Sequence, residues 1–257
     1  MSIGLLCRGW QPFKATISIL SPPLRVIPRS TLRYNCRAHS SQPFKRGLSS
    51  TSSRSYLIKR YIVFGIVGLN VSIFVTWRVA ISRARESGDY SLLAWMDRNC
   101  ILSSSNLSAG RYWTIITSAF SHHDLGHLLG NMVGFWTFWT IAAAAPQVTV
   151  ANLLILASGS AISGSVAWLW YERRRHRDSK ALGASGMVMG MGAAAACISP
   201  FSQVAFIFLP VPIPLWAAVG VYALYDSFYL DDKSSRVGHS AHLGGSAFGI
   251  IYALIRL

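Results

Sequence analysis

The sequence predicts an all-α, polytopic membrane protein, a bundle of six transmembrane helices behind a basic leader. Three observations carry that expectation. The 257-residue chain is 52% hydrophobic and 13% charged, with a mean hydropathy of +0.38, a composition unusual in soluble domains. Its apolar residues gather in long runs. No Asp, Glu, Lys or Arg occurs from Leu125 to Tyr171, 47 residues, or from Ala181 to Tyr225, 45 residues. Finally, the charge is lopsided. Residues 1–60 hold 11 Lys/Arg and no acidic residue, whereas the rest holds 13 basic and 9 acidic residues. The net +15 is therefore mostly a property of the leader, which argues against a nucleic-acid partner and for a lipid bilayer around the remainder. A soluble core would need several helices apolar on every side.

In chain order, residues 1–48 are basic, Ser-rich and free of acidic residues, the composition of a mitochondrial transit peptide. The stretch "RGLSSTSS", residues 46–53, resembles the end of such presequences and places cleavage after Leu48. A disordered, cleaved leader then precedes a single domain over 49–257. Tyr61–Trp77 supplies the first helix. A membrane helix takes about 20 apolar residues, so each charge-free run holds two helices and a turn. "SHHDLGHLLGNM", residues 121–132, opens the second helix, and Pro146-Gln147 divides it from the third. "KALGASGMVMG" opens the fourth, and Ser199-Pro200 divides it from the fifth. Val237–Ile255 supplies the sixth. Cys7 and Cys36 lie in the leader. Cys100 and Cys197 show neither metal-ligand spacing nor a disulfide framework. The chain carries no internal repeat and no nucleotide- or cofactor-binding motif.

Counting helices places the polar residues. The second, fourth and sixth helices all start on the same face of the membrane. His127 stands three residues after Asp124, Ser185 five after Lys180 and His242 six after Arg236. At ~1.5 Å rise per residue, the three sit roughly 5–10 Å inside that face. His127 and Asn131, at i and i+4, share a helix face. His242, Gly245 and Gly249 form one stripe on the sixth helix, and Gly245–Gly249 is a GxxxG that lets another backbone approach closely. Gly186, Gly190 and Ala193 form a matching small stripe on the fourth. Close packing of the two would bring Ser185 toward His242. Ionisable groups at such depth are costly and mark function.

These residues resemble the rhomboid intramembrane serine proteases. The family's second-helix pattern, His, four residues, His, three residues, Asn, is matched by His122, His127 and Asn131. Its GxSG motif is matched by Gly183-Ala184-Ser185-Gly186, and its base motif by His242 with Gly245 and Gly249. The resemblance covers about Tyr56–Leu257, and "AHLGGSAFGI" with the leader points to the mitochondrial branch. It departs at Met189, where many bacterial members carry an aromatic residue. Mitochondrial members commonly carry a further helix ahead of the six, of which residues 1–55 show no sign.

The resemblance implies a serine endopeptidase that cuts single-pass transmembrane proteins by a Ser185–His242 dyad, without metal or cofactor. His127, Asn131 and the Ser185 backbone N–H would bind the oxyanion, and His122 would line the cavity mouth and admit water. Gly183, Gly186, Gly245 and Gly249 would serve packing. No carboxylate stands near His242 in sequence. Asp231 and Asp232, about ten residues upstream, fall in a loop, so an unassisted dyad with slow turnover is expected.

The rival enzyme reading is metal-dependent, since "HDLGH", residues 123–127, mimics HExxH, although no third ligand is evident. A pseudoprotease that only binds membrane helices, and a transporter, are the non-catalytic rivals. The implied location is the mitochondrial inner membrane, crossed several times. Loops on the active-site face carry most of the Lys and Arg, which turns that face to the matrix by the positive-inside rule. A matrix-targeted leader with no helix before the core would turn it to the intermembrane space instead.

Overall fold

The computed structural model describes residues 17–18, 50–175, 179–206, 209–232, 235 and 237–257. Most of the predicted leader lies outside these residues. The described part of it, β1 (Ile17–Ser18), is extended and pairs antiparallel with β4. The fold is predominantly helical. In chain order come α1 (Ser50–Glu86), α2 (Ser91–Cys100), β2 (Leu102–Ser103), α3 (Ser104–Ser108) and α4 (Thr114–Thr117). They are followed by α5 (Leu125–Ala144), α6 (Val150–Arg174), β3 (Lys180–Ala181) and α7 (Ser185–Ile198). Strands β4 (Gln203–Phe206) and β5 (Leu209–Pro214), α8 (Leu215–Phe228) and α9 (His239–Arg256) complete it.

Burial follows a membrane logic. Large apolar side chains face outward: Phe64, Leu154, Val166, Leu224, Phe228 and Leu254 are each more than a third exposed. Polar and small residues face inward, including Asn131, Ser160, Asp226 and His239. A soluble protein would bury the first set; exposed apolar area on this scale calls for another apolar phase. Two helices, Arg54–Glu86 within α1 and Val150–Arg174, are long and apolar enough to cross a membrane.

The second charge-free run departs from the expected pair of full-length helices. Its turn is a β-hairpin, β4 against β5, with Gln203 opposite Pro214 and Val204 opposite Ile213. The hairpin leaves α7 and α8 with 14 residues each. At ~1.5 Å rise each is roughly 21 Å long, short of the ~30 Å hydrocarbon core. β5 is an edge strand in the order β1-β4-β5. Its alternating Pro210, Pro212 and Pro214 lack N–H donors, which an edge tolerates and a central strand would not.

Several contacts fix the ends of the bundle. Lys59 Nζ donates to Ala143 O at 3.0 Å, at the carbonyl end of α5, while Trp139 Nε1 donates back to Lys59 O at 3.0 Å. A cation at a helix C-terminus meets both the free carbonyls and the negative end of the dipole. At the opposite end, β2 pairs with β3 and Lys180 bonds Asp97 at 2.7 Å. The Gly183 N–H donates to Ser118 O at 2.9 Å. The segment leading into Ser185 is thus tied to the helices that precede α5.

Candidate active site

Three helices meet where glycines remove side chains. A Cβ on Gly186 of α7 would lie 3.2 Å from Ala241 O of α9, and one on Gly164 of α6 2.8 Å from the same oxygen. Further along, a Cβ on Gly245 would lie 2.0 Å from Gly186 O, and one on Gly249 2.1 Å from Gly190 O. The stripes predicted on the fourth and sixth helices do pack backbone to backbone. Ser185 and His242, each next in sequence to a contact residue (Gly186 and Ala241), are thereby carried to one end of the α7–α9 pair. The Ser185 hydroxyl makes no hydrogen bond among the described residues, so the approach is one of helices rather than a formed hydroxyl–imidazole bond. Such bonds often tighten only when substrate is present.

Ser185 is the first residue of α7. The helix starts at Ala184, whose side chain offers no cap, so the N–H groups of the first turn are left without an intrahelical or side-chain acceptor. Those donors and the positive end of the dipole face the start of α5. There Asp124 caps α5 by accepting from the His127 N–H at 2.8 Å. Gly183 makes room for the His127 ring: its φ is +129°, and a Cβ there would stand 2.6 Å from His127 Cε1. His127 also lies within electrostatic range of His242. The structure therefore brings His127, Ser185 and His242, from α5, α7 and α9, to one place.

His122 differs from expectation. It is fully buried rather than lining an open mouth. The Ala184 N–H donates to its Nε2 at 3.3 Å, and Asn131 Nδ2 lies 2.9 Å from the same atom. A backbone N–H can only donate, so Nε2 must carry a lone pair, and neutral His122 holds its proton on Nδ1. Asn131 Nδ2 then donates to Nε2, which fixes the orientation of the amide and leaves its second N–H for another acceptor. His122 braces Asn131 against the residue preceding Ser185, and its own Nδ1 is buried without a partner among the described residues.

The expectation that His242 has no carboxylate is corrected. Asp226, near the C-terminal end of α8, is buried and accepts from His242 Nδ1, 3.0 Å from Oδ1 and 3.1 Å from Oδ2. Its Oδ1 also accepts from His239 Nδ1 at 2.7 Å. Asp226 is 16 residues from His242 in sequence, but the antiparallel run of α8 and α9 brings it to the same depth. Asp231 instead lies outside, accepting from the Tyr171 hydroxyl and 3.6 Å from Arg175. The metal-binding alternative at 123–127 is not assembled: His123 packs on Trp77 with ring centroids 4.2 Å apart, and Asp124 is spent as the cap.

The chain is similar to known proteins of one family. The family model described as "Rhomboid domain" matches residues 109–257. RHOMBOID-like protein 12, mitochondrial, of Arabidopsis thaliana is 32% identical over 219 residues, 78% of this chain and 60% of that protein. Rhomboid protein 1, mitochondrial, of Saccharomyces cerevisiae is 28% identical over 193 residues, 74% of this chain and 52% of that one. The human presenilin-associated rhomboid-like protein, mitochondrial, is 30% identical over 202 residues, 74% of this chain and 47% of that one. This chain thus spans about half to three fifths of the length of the curated relatives it matches. A family model matched over more than half the chain, with mitochondrial relatives on either side of 30% identity, places the chain in the rhomboid family, in its mitochondrial branch.

Proposed function

We infer that the protein is an intramembrane serine endopeptidase of the mitochondrial inner membrane, with Ser185 as nucleophile and His242 as general base. The observation that carries this reading is the backbone contact of α7 with α9 through Gly186 and Gly245. It sets the serine and the histidine at one end of the pair, with His127 and Asn131 across from them on α5.

In the reaction His242 takes the hydroxyl proton as Ser185 Oγ attacks the scissile carbonyl, then returns it to the leaving amine. Charge develops on the carbonyl oxygen. His127, the free N–H of Asn131 and the Ser185 N–H are the donors for it, each worth roughly 3 kcal/mol in comparable enzymes. Gly183, Gly186, Gly245 and Gly249 hold the parts together. His122 keeps the Asn131 amide turned toward the site.

The substrates in this reading are single-pass membrane proteins cut where their helices are weak, because an intact helix hides its carbonyls in its own hydrogen bonds. The six helices α1, α5, α6, α7, α8 and α9 cross the bilayer, α7 and α8 within a locally thinned core. Basic residues at the Ser185 end, among them Arg98, Arg111, Arg173, Arg174 and Lys180, turn that end to the matrix.

A fluorophosphonate probe applied to the protein in detergent tests the reading. The native chain is labelled and cleaves a helix-destabilised membrane substrate, and Ser185→Ala and His242→Ala lose both while remaining folded. Cleavage retained by Ser185→Ala would overturn it.

A further inference from the structure

We propose that Asp226 is a positioning residue for the catalytic base, holding His242 in the one tautomer that can accept a proton from Ser185. The proposal rests on the reading of His242 as base and turns the expected dyad into a carboxylate-oriented one.

The hydrogen-bond logic is closed. An ionised carboxylate only accepts, so both imidazole Nδ1 atoms that face it carry protons. His242 Nδ1 is within 3.1 Å of both oxygens. Its proton is therefore on Nδ1, and Nε2 is left with a lone pair. The opposite tautomer would present an N–H to the serine and could not act as base. When His242 becomes an imidazolium during attack, the same carboxylate faces the new charge.

His239 accounts for how a carboxylate is kept at this depth. Asp226 is 1% exposed, and a buried charge is costly unless paired and hydrogen-bonded. His239 stands at i−3 from His242, on the same face of α9, and donates its Nδ1–H to Oδ1 at 2.7 Å. Its Nε2 lies 2.8 Å from Ser235 Oγ, which also accepts the Val237 N–H at 3.2 Å. Tyr225 of α8 and Tyr229 just past its end flank the His239 ring at centroid distances of 5.7 and 6.2 Å. Tyr222 of α8 lies near Asp226, and His127 of α5 near His242. One oxygen of Asp226 is thus pinned by a histidine that takes no part in catalysis, and the carboxylate cannot rotate away from the one that does. Asp226, His239 and His242 are also close enough to share a metal ion. Separations of 2.7–3.1 Å between ring nitrogens and oxygens are those of direct hydrogen bonds, which account for the cluster without an ion.

The test uses the full chain in detergent with a helix-destabilised membrane substrate. Asp226→Asn should lower kcat by about 10²–10⁴-fold with KM unchanged, and should slow fluorophosphonate labelling in proportion. A fall in kcat with KM held separates a lost orienter of the base from a packing defect, which would disturb both. His239→Gln should give a smaller fall of the same kind. Native kcat in Asp226→Asn would overturn the proposal while leaving the serine mechanism standing. Loss of activity to a chelator, restored by zinc, would overturn it in favour of a metal site. If Asp226→Asn does not fold, the ¹⁵N-histidine spectrum of the native protein decides, with His242→Gln used for assignment. A His242 signal of the Nδ1–H tautomer supports the proposal and an Nε2–H signal overturns it. Cleavage by Ser185→Ala is the separate outcome that would sink the underlying reading.

Discussion

The α6–α7–α9 cluster and α8 solve the same problem by opposite means. In the cluster, position is set by main chain against main chain: Gly164, Gly186, Gly190, Gly245 and Gly249 leave no side chain to adjust. α8 lies at the margin, with Trp216, Val221, Leu224 and Phe228 exposed on its outer face, and it fixes its inward carboxylate, Asp226, by hydrogen bonds. Backbone contact is rigid because neither partner can turn away. Hydrogen bonding from a peripheral helix is directional but survives small shifts of that helix. Ser185 and His242, the proposed nucleophile and base, sit on the first kind of scaffold, and Asp226, proposed only to orient the base, sits on the second. Substitutions that add one methyl group to each region test this contrast.

The largest effect is expected for Gly245→Ala. Its Cβ would be placed 2.0 Å from Gly186 O, where approaches under 3.0 Å are essentially never seen, so α7 and α9 must part by about an ångström at the site. A displacement of that size is enough for a ~10²-fold loss. Overpacking should add a stability cost of about 1–3 kcal/mol. Cleavage rate and thermal unfolding, measured together, check both. An active and equally stable Ala variant would mean that the glycine contact does not set the distance between Ser185 and His242.

Gly183→Ala comes next. The added methyl meets the His127 ring rather than backbone, and a ring can move. The φ of +129° adds backbone strain of about 1–3 kcal/mol. The expected result is a folded protein in which kcat falls while KM holds, because a displaced oxyanion donor matters mainly in the transition state. A rise in KM alone would mark His127 as a substrate-binding group.

The same contrast explains what could be read from the sequence. Depth counting from helix starts brought Ser185, His127 and His242 together, and the spacing of Gly245 and Gly249 announced the tight face, because both depend only on local periodicity. Asp226 was within reach of the same counting: it lies two residues before the end of α8, as His242 lies three residues after the start of α9. Sequence neighbourhood points instead to Asp231 and Asp232, which are nearer to His242 along the chain. The pairing of β4 with β5 is hidden for a different reason. An apolar run shows where charge is absent but not where helix stops, and alternating prolines were the signal that α7 and α8 must be short. The burial of His122 depends on the tertiary approach of Ala184 to α5, which no local pattern encodes.

The smallest effect is expected for Gly220→Ala, on the peripheral helix. It is the same chemical change as at Gly245, yet nothing stands within 4 Å of the added Cβ. Ala is the better helix former by roughly 1 kcal/mol in water, and substitutions that touch nothing usually stay within about 0.5 kcal/mol. The variant should cleave at the native rate and unfold at or slightly above the native temperature. The comparison is sharpest because α8 carries Asp226 six residues further along, on a face turned inward. Because the methyl at Gly220 meets nothing, it should leave Asp226 and His242 where they are. A clear loss of kcat in Gly220→Ala, with stability unchanged, would therefore show that α8 is held by contacts beyond those of Asp226, and that the division between a rigid cluster and a compliant margin is wrong.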